Sequence, residues 1–146
     1  MIAIGCDHAG FLMKEYVKNA LLEKGYLVKD FGSFDSEPVD YPDVARTLSK
    51  SVTRFECENG ILICGTGIGM SLAANKFKGI RAAACSETFS AKMTRAHNDS
   101  NILCLGARVI GSGVAKEMLD LFITTEYEGG RHIPRVDMIS SFEESE

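Results

Sequence analysis

A chain of 146 residues with 45% hydrophobic content is long enough to bury one sizeable core, and its net charge of −4 excludes a global basic field for nucleic acid or an anionic membrane. No apolar run approaches membrane-spanning length, and the chain opens on the strand-like Met1-Ile2-Ala3-Ile4-Gly5 without a basic leader, so the expectation is one domain over residues 1–146 in the cytoplasm. Five cysteines (Cys6, Cys57, Cys64, Cys85, Cys104), odd in number and without a Cys-x-x-Cys pair, point to a reducing compartment and not to a disulfide or zinc framework.

Met1 to Cys6 reads as a first strand, followed by the turn Asp7-His8-Ala9-Gly10. A helix is expected over Phe11 to Lys24, with Leu12, Tyr16 and Ala20 at helical spacing and a stop at Gly25. Leu27 to Phe31 is a second strand, Gly32 to Pro42 a long surface loop, and about Asp43 to Arg54 a helix. The apolar run Ile61 to Ile63, without polar alternation, suits a strand covered on both faces and ends at Cys64. A glycine-rich turn and a helix through Ser71 to Asn75 follow. Arg81 to Cys85 makes a fourth strand, Ser86 and Glu87 start a helix towards His97, Asn101 to Gly106 is a fifth strand, and Gly111 to Thr124 is helical. A short helix over Val136 to Ser141 and a frayed Glu143 to Glu146 end the chain. Repeated β-α order implies right-handed crossovers and helices on both faces, that is, a three-layer α/β/α sandwich on a five-stranded parallel, Rossmann-like sheet. Ligands of such sheets bind beyond the strands' carboxyl ends, which puts Asp7-His8, Cys64 to Gly69 and Arg108 on one rim.

The turn Cys64-Gly65-Thr66-Gly67-Ile68-Gly69 has several readings that spacing separates. A nucleotide-phosphate loop needs Lys-Ser/Thr after its last glycine, where this chain has Met70-Ser71; a cysteine phosphatase needs Arg at position 70. The dinucleotide fingerprint wants Gly-x-Gly-x-x-Gly after the first strand, and this is Gly-x-Gly-x-Gly after the third. There remains a thiol at a strand end above successive free amides, with the Thr66 hydroxyl two residues on, a set able to abstract a proton and stabilise the resulting oxyanion. Taken alone, Cys64 is more often a buried core residue; the adjacent glycine turn and helix start, which favour a thiolate, set it apart from the other four. Thr66 either satisfies a turn amide or bonds the thiolate.

The other candidates have plain alternatives. Asp7 serves equally as a helix cap, His8 as a solvated imidazole, and His97-Asn98-Asp99 as a helix terminator. Arg131 and Arg135, after Gly129-Gly130, suit bidentate phosphate binding, although a surface basic pair is the commoner meaning and Pro134 argues against an uninterrupted helix between them. All three histidines and these arginines lie in a few short stretches, which fits a small anionic substrate. No His, Cys and carboxylate set shows ligand spacing, so no metal is expected.

Jointly, Gly5-Cys6-Asp7-His8-Ala9-Gly10, Tyr41-Pro42-Asp43, Ile63 to Gly69, Asn75-Lys76, Gly79-Ile80-Arg81-Ala82, His97-Asn98-Asp99, Gly106-Ala107-Arg108-Val109 and Gly129-Gly130-Arg131-His132 with Arg135-Val136-Asp137 resemble the type B ribose-5-phosphate isomerases. Their wider family also contains galactose-6-phosphate isomerase subunits. The resemblance covers nearly the whole chain. It implies interconversion of an aldose and a ketose phosphate without metal or cofactor. In it Cys64 is the base, the Gly65 to Gly69 amides (with Thr66, Gly67 and Ile68) hold the enediolate, and His97 opens the ring with Asn98 beside it. Asp7 handles hydroxyl protons, His8, Arg131 and Arg135 bind phosphate, and Arg108 completes the site. Some members carry Glu after the glycine loop as the base; here that position is Met70, which leaves Cys64. The resemblance further implies a homodimer or dimer of dimers with sites at the subunit interface, a hexose 6-phosphate isomerase or a non-catalytic sugar-phosphate-binding module being the alternatives.

Overall fold

The computed structural model describes residues 1–145. Strands β1 (Ile2–Cys6), β2 (Val28–Asp30), β3 (Asn59–Cys64), β4 (Ala82–Ala84) and β5 (Ile102–Gly106) form an all-parallel sheet in the order β2-β1-β3-β5-β4. The three central strands are apolar runs because both their faces are covered. Alternate side chains go to opposite layers. Ile4, Ile61, Ile63, Leu103 and Leu105 face α1 (Phe11–Glu23), α4 (Thr88–Asn98) and α5 (Ser112–Thr124), while Ala3, Leu62, Cys64 and Ile102 face α2 (Tyr41–Thr53) and α3 (Ile68–Ala74). Each buried Ile or Leu contributes roughly 1.5–3 kcal/mol of transfer free energy, so the two layers clamp the sheet and fix its register.

Strand order places the crevice. The chain leaves β1 through α1 for β2 on one side and returns through α2 to β3 on the other, so the carboxyl ends of β1 and β3 diverge there. Asp7 follows one of these ends and Cys64 closes the other. Beside the crevice the Lys14 ammonium is fully buried, bonded to both Asp30 carboxylate oxygens at 2.9 Å and to the Ser33 carbonyl at 2.6 Å, which ties α1 to the loop after β2.

Several element ends differ from the sequence expectation. The turn after β1 is a 3-10 turn over His8–Gly10, and α2 begins at Tyr41, taking Pro42 and Asp43 into its first turn, where proline's missing amide has no cost. The glycine loop becomes helix at Ile68, three residues before Ser71, because Gly67 adopts the left-handed cap conformation. The C-terminal helix α6 runs over Ile133–Ser145, longer than Val136 to Ser141. Its end is held rather than frayed: Gly79 N–H donates to Glu143 at 2.9 Å and Glu144 pairs with Lys78. Glu146 lies outside the described residues.

Candidate active site

β3 delivers Cys64 to the rim with only 5% of its surface exposed. Its Sγ accepts a hydrogen bond from the Gly67 amide at 3.1 Å. That amide points back at the sulfur because Gly67 has φ 80°, and a Cβ there would lie 3.0 Å from the carbonyl carbon of Leu105. The turn therefore needs glycine for both its backbone angle and its contact with β5. Two further bonds lock the turn to the residues just after β5: Ala107 N–H to Cys64 O at 2.8 Å and Arg108 N–H to Gly65 O at 3.0 Å. Thr66 Oγ1 accepts from the Ile68 amide at 3.2 Å, so the hydroxyl satisfies the turn. Two of the loop amides expected to face an enediolate, those of Gly67 and Ile68, are thus directed at Cys64 and Thr66.

Cys64, Gly65, Thr66, Ile68 and Gly69 line a cleft of about 410 Å³ together with Asp7, Tyr41, Leu72 and Arg108. Asp7 and Tyr41 also line an adjoining hollow of about 520 Å³ that contains His8. Asp7 is 7% exposed, and one carboxylate oxygen accepts from the amides of Ala9 (2.9 Å) and Gly10 (3.2 Å). It is a cap and a cleft wall at once, and its second oxygen makes neither bond. His8 Nδ1 accepts from Val39 N–H at 3.3 Å, which orients the ring. Arg108 lies against Gly65, where an added Cβ would be 3.4 Å from its Nη1, and brings positive charge to the cleft wall. Burial pushes the Cys6 and Cys85 thiols up to about 11 and Cys104 well above the ordinary range, so these three stay protonated.

Besides His8 in the adjoining hollow and Gly67, whose amide turns to Cys64, four predicted residues do not line this cleft. His97 and Asn98 end α4, where Asp99, at φ 48°, takes the left-handed position and pairs with Arg81 and Arg95, each at 3.1 Å. Helix termination therefore does account for that tripeptide locally. Asn98 faces a separate cavity of about 510 Å³, walled by Asn75, Arg81, Ile139 and Phe142. Arg131 sits in a 3-10 turn before α6 and Arg135 in its first turn, and Arg135 donates to the Arg131 carbonyl at 2.6 Å. Pro134 is accommodated because α6 starts only one residue earlier.

Two features escaped sequence reasoning. Tyr41 walls the cleft, its ring 2.7 Å from where a Cβ on Gly69 would stand. The fold also gathers His97, Glu128 and His132, although no donor set was expected from spacing. The Glu128-x-x-x-His132 interval was a legible signal; His97 joins it only through tertiary structure.

Proton transfer on a small anion held at a strand-end crevice is the chemistry this rim supports, and it defines the class as an acid–base enzyme on an α/β/α scaffold. The chain belongs to the ribose/galactose isomerase family, whose profile matches residues 2–139. It is 49% identical over 143 residues to ribose-5-phosphate isomerase B of Escherichia coli K12, covering 98% of this chain and 96% of that protein. It is 44% identical over 147 residues to D-erythrulose-4-phosphate isomerase of Pectobacterium atrosepticum, covering 99% and 96%. The structure of ribose-5-phosphate isomerase B from Clostridium thermocellum superposes with a TM-score of 0.97 at 47% identity, covering 98% and 97% of the two chains.

Proposed function

We propose that this chain is an aldose–ketose isomerase that interconverts ribose 5-phosphate and ribulose 5-phosphate through an enediolate, with Cys64 as the base. The observation that carries the reading is the nearly buried Cys64 sulfur, held by the Gly67 amide on a cleft walled by Asp7 and Arg108. In the open-chain aldose the thiolate takes the proton from C2, the C1 carbonyl oxygen gains the charge, and the thiol returns the proton to C1. Asp7, through its second oxygen, passes the hydroxyl proton between the two oxygens. The rim charge of Arg108 lowers the cost of the negative oxygen, as preorganised groups do at about 3–4 kcal/mol per donor.

The remaining roles fall to a second copy of the chain. His97, which would protonate the ring oxygen, and Asn98, Arg131 and Arg135 lie off the cleft, and a symmetric pair brings such distant surfaces to each other's sites. Ile68 and Leu72, 56% and 64% exposed at the cleft wall, support a covering partner. His8 from one chain and Arg131 with Arg135 from the other would hold the phosphate.

The test is conversion of ribose 5-phosphate in deuterium oxide by wild type and Cys64→Ala, with allose 6-phosphate and erythrulose 4-phosphate as alternative substrates. Ketose formation with deuterium incorporation in the wild type, reduced ~10²–10⁴-fold or more in the folded variant, is expected. Full turnover by Cys64→Ala removes the assigned base, and turnover of only the hexose or only the tetrose phosphate changes the substrate.

A further inference from the structure

His97 and His132 stack, ring centroids 4.3 Å apart and planes 15° from parallel. The Glu128 carboxylate reaches both: one oxygen lies 3.3 Å from His132 Nε2 and 3.8 Å from His97 Nε2. Backbone contacts build this arrangement. The Glu128 amide donates to the carbonyl of Ala96, the residue before His97, and the His132 amide donates to Gly129 across two left-handed glycines, which turns His132 back over Glu128. His132 Nε2 is buried yet has no hydrogen-bond partner among the described residues. A buried imidazole nitrogen left so costs free energy unless something binds it.

We infer that His97, Glu128 and His132 form a binding site for a zinc-class divalent cation. Two imidazoles and one carboxylate, with a fourth position open, are a known zinc donor set, and imidazole favours zinc, cobalt or nickel over magnesium or calcium. A tetrahedral ion with bonds of about 2.0–2.1 Å requires its donors about 3.3 Å apart. The two separations from Glu128 are 3.3 and 3.8 Å and all three donor atoms lie within 4.8 Å of one another, but the stacked rings hold their in-plane lone pairs nearly parallel, so closing the site requires the imidazoles to unstack by side-chain rotation until both lone pairs converge with the carboxylate on the ion. The carboxylate supplies the negative charge. Resting on the reading of His97 as ring opener, the site has a consequence: a cation on Nε2 occupies the lone pair that would exchange the proton, so it inhibits turnover of the cyclic aldose.

The test is titration of the full-length, chelator-treated protein with Co2+ alone, followed by visible absorption. We expect a saturable tetrahedral spectrum at one ion per chain, displaced by Zn2+ and retained in Cys64→Ala, and weakened by about 10-fold or more in both His132→Ala and Glu128→Gln. Absence of the spectrum in wild type, or its persistence unchanged in both variants, overturns the site. Glu128→Gln is conservative and exposed, so it tests the site even where His132→Ala fails to fold. Zn2+ should inhibit ribose 5-phosphate turnover in wild type and lose potency in Glu128→Gln. Binding as expected with turnover untouched keeps the cation site and removes His97 from ring opening.

Discussion

Gly67→Ala probes the join between backbone and chemistry. The residue stands at φ 80° and ψ −15°, where an alanine costs about 1–2 kcal/mol relative to glycine's free choice. Its Cβ would lie 3.0 Å from the carbonyl carbon of Leu105 and 3.1 Å from the carbonyl carbon and oxygen of Cys104. Those atoms belong to β5, paired on both sides, so they do not yield; such overpacking costs about 1–3 kcal/mol. Together this is about 2–5 kcal/mol against a typical stability of 5–15, so the folded variant relaxes by rotating the Thr66–Gly67 peptide. Rotation takes the amide away from Cys64 Sγ, now 3.1 Å distant. We expect a lower urea midpoint and kcat reduced by about 10-fold or more, the scale of losing one hydrogen bond of about 1.5–3 kcal/mol that orients the base, with KM changed far less. Steady-state kinetics on material shown folded by circular dichroism decide it. A folded Gly67→Ala protein with wild-type kcat would refute the claim that this amide holds the base in place.

Arg135→Ala should raise KM for the phosphorylated sugar by about 10-fold or more with kcat changed less, as expected for loss of a charge-assisted phosphate contact; an unchanged KM removes it from the phosphate site. Mixing Cys64→Ala with His97→Asn subunits should restore about a quarter of wild-type activity after exchange, because half the dimers are mixed and each mixed dimer has one intact site; no recovery in exchanged mixtures places base and ring opener in one subunit. Lys14→Met should destabilise the fold by about 1.5–3 kcal/mol, since it removes the buried ammonium that bonds both Asp30 oxygens and leaves that carboxylate to Lys18 and the Gly32 amide, and urea denaturation measures this. Burial alone would push Asp30 up, but hydrogen bonds from Lys14, the Gly32 amide and Lys18 outweigh it and hold the carboxyl below its ordinary 3.8. Its contribution is therefore full above 3.8 and lost as pH falls through the lower folded value, so the stability gap between wild type and Asp30→Asn should narrow on acidification below 3.8. A gap independent of pH contradicts the pairing.

The central strands were legible because burial on both faces leaves nothing but apolar residues, as in Ile61-Leu62-Ile63. The convergence of Asp7, Cys64 and Arg108 on one cleft was legible for a related reason: a parallel sheet brings every strand's carboxyl end to one rim. The start of α2 was misplaced because Pro42 reads as a breaker, although proline fits a first turn. The length of α6 was missed because only Val136 is buried in it; Met138, Ile139 and Phe142 stay exposed, and no stripe pointed to a core. His97, Arg131 and Arg135 lie on a helix end and a following turn, where no rule of sheet topology applies. Their distance from the cleft is a property of the tertiary structure, and a resemblance that names them as site residues carries no information about which chain's cleft they serve.

The separation of base from ring opener has a physical consequence for the proposed pair. A lone rim keeps Cys64 shielded but leaves Ile68, Leu72 and Tyr41 in water beside it, so a bound enediolate would be solvated on its open side. Covering that side lowers the local dielectric and strengthens the field of Arg108 where charge develops. The same docking step would deliver His97, Arg131 and Arg135 to substrate. In that proposed pair assembly and catalysis would be one event: the apolar surface favouring association would be the wall that excludes water, and a chain held apart from its partner would keep its thiol, its amide and its fold while lacking the groups that admit and hold a cyclic sugar phosphate.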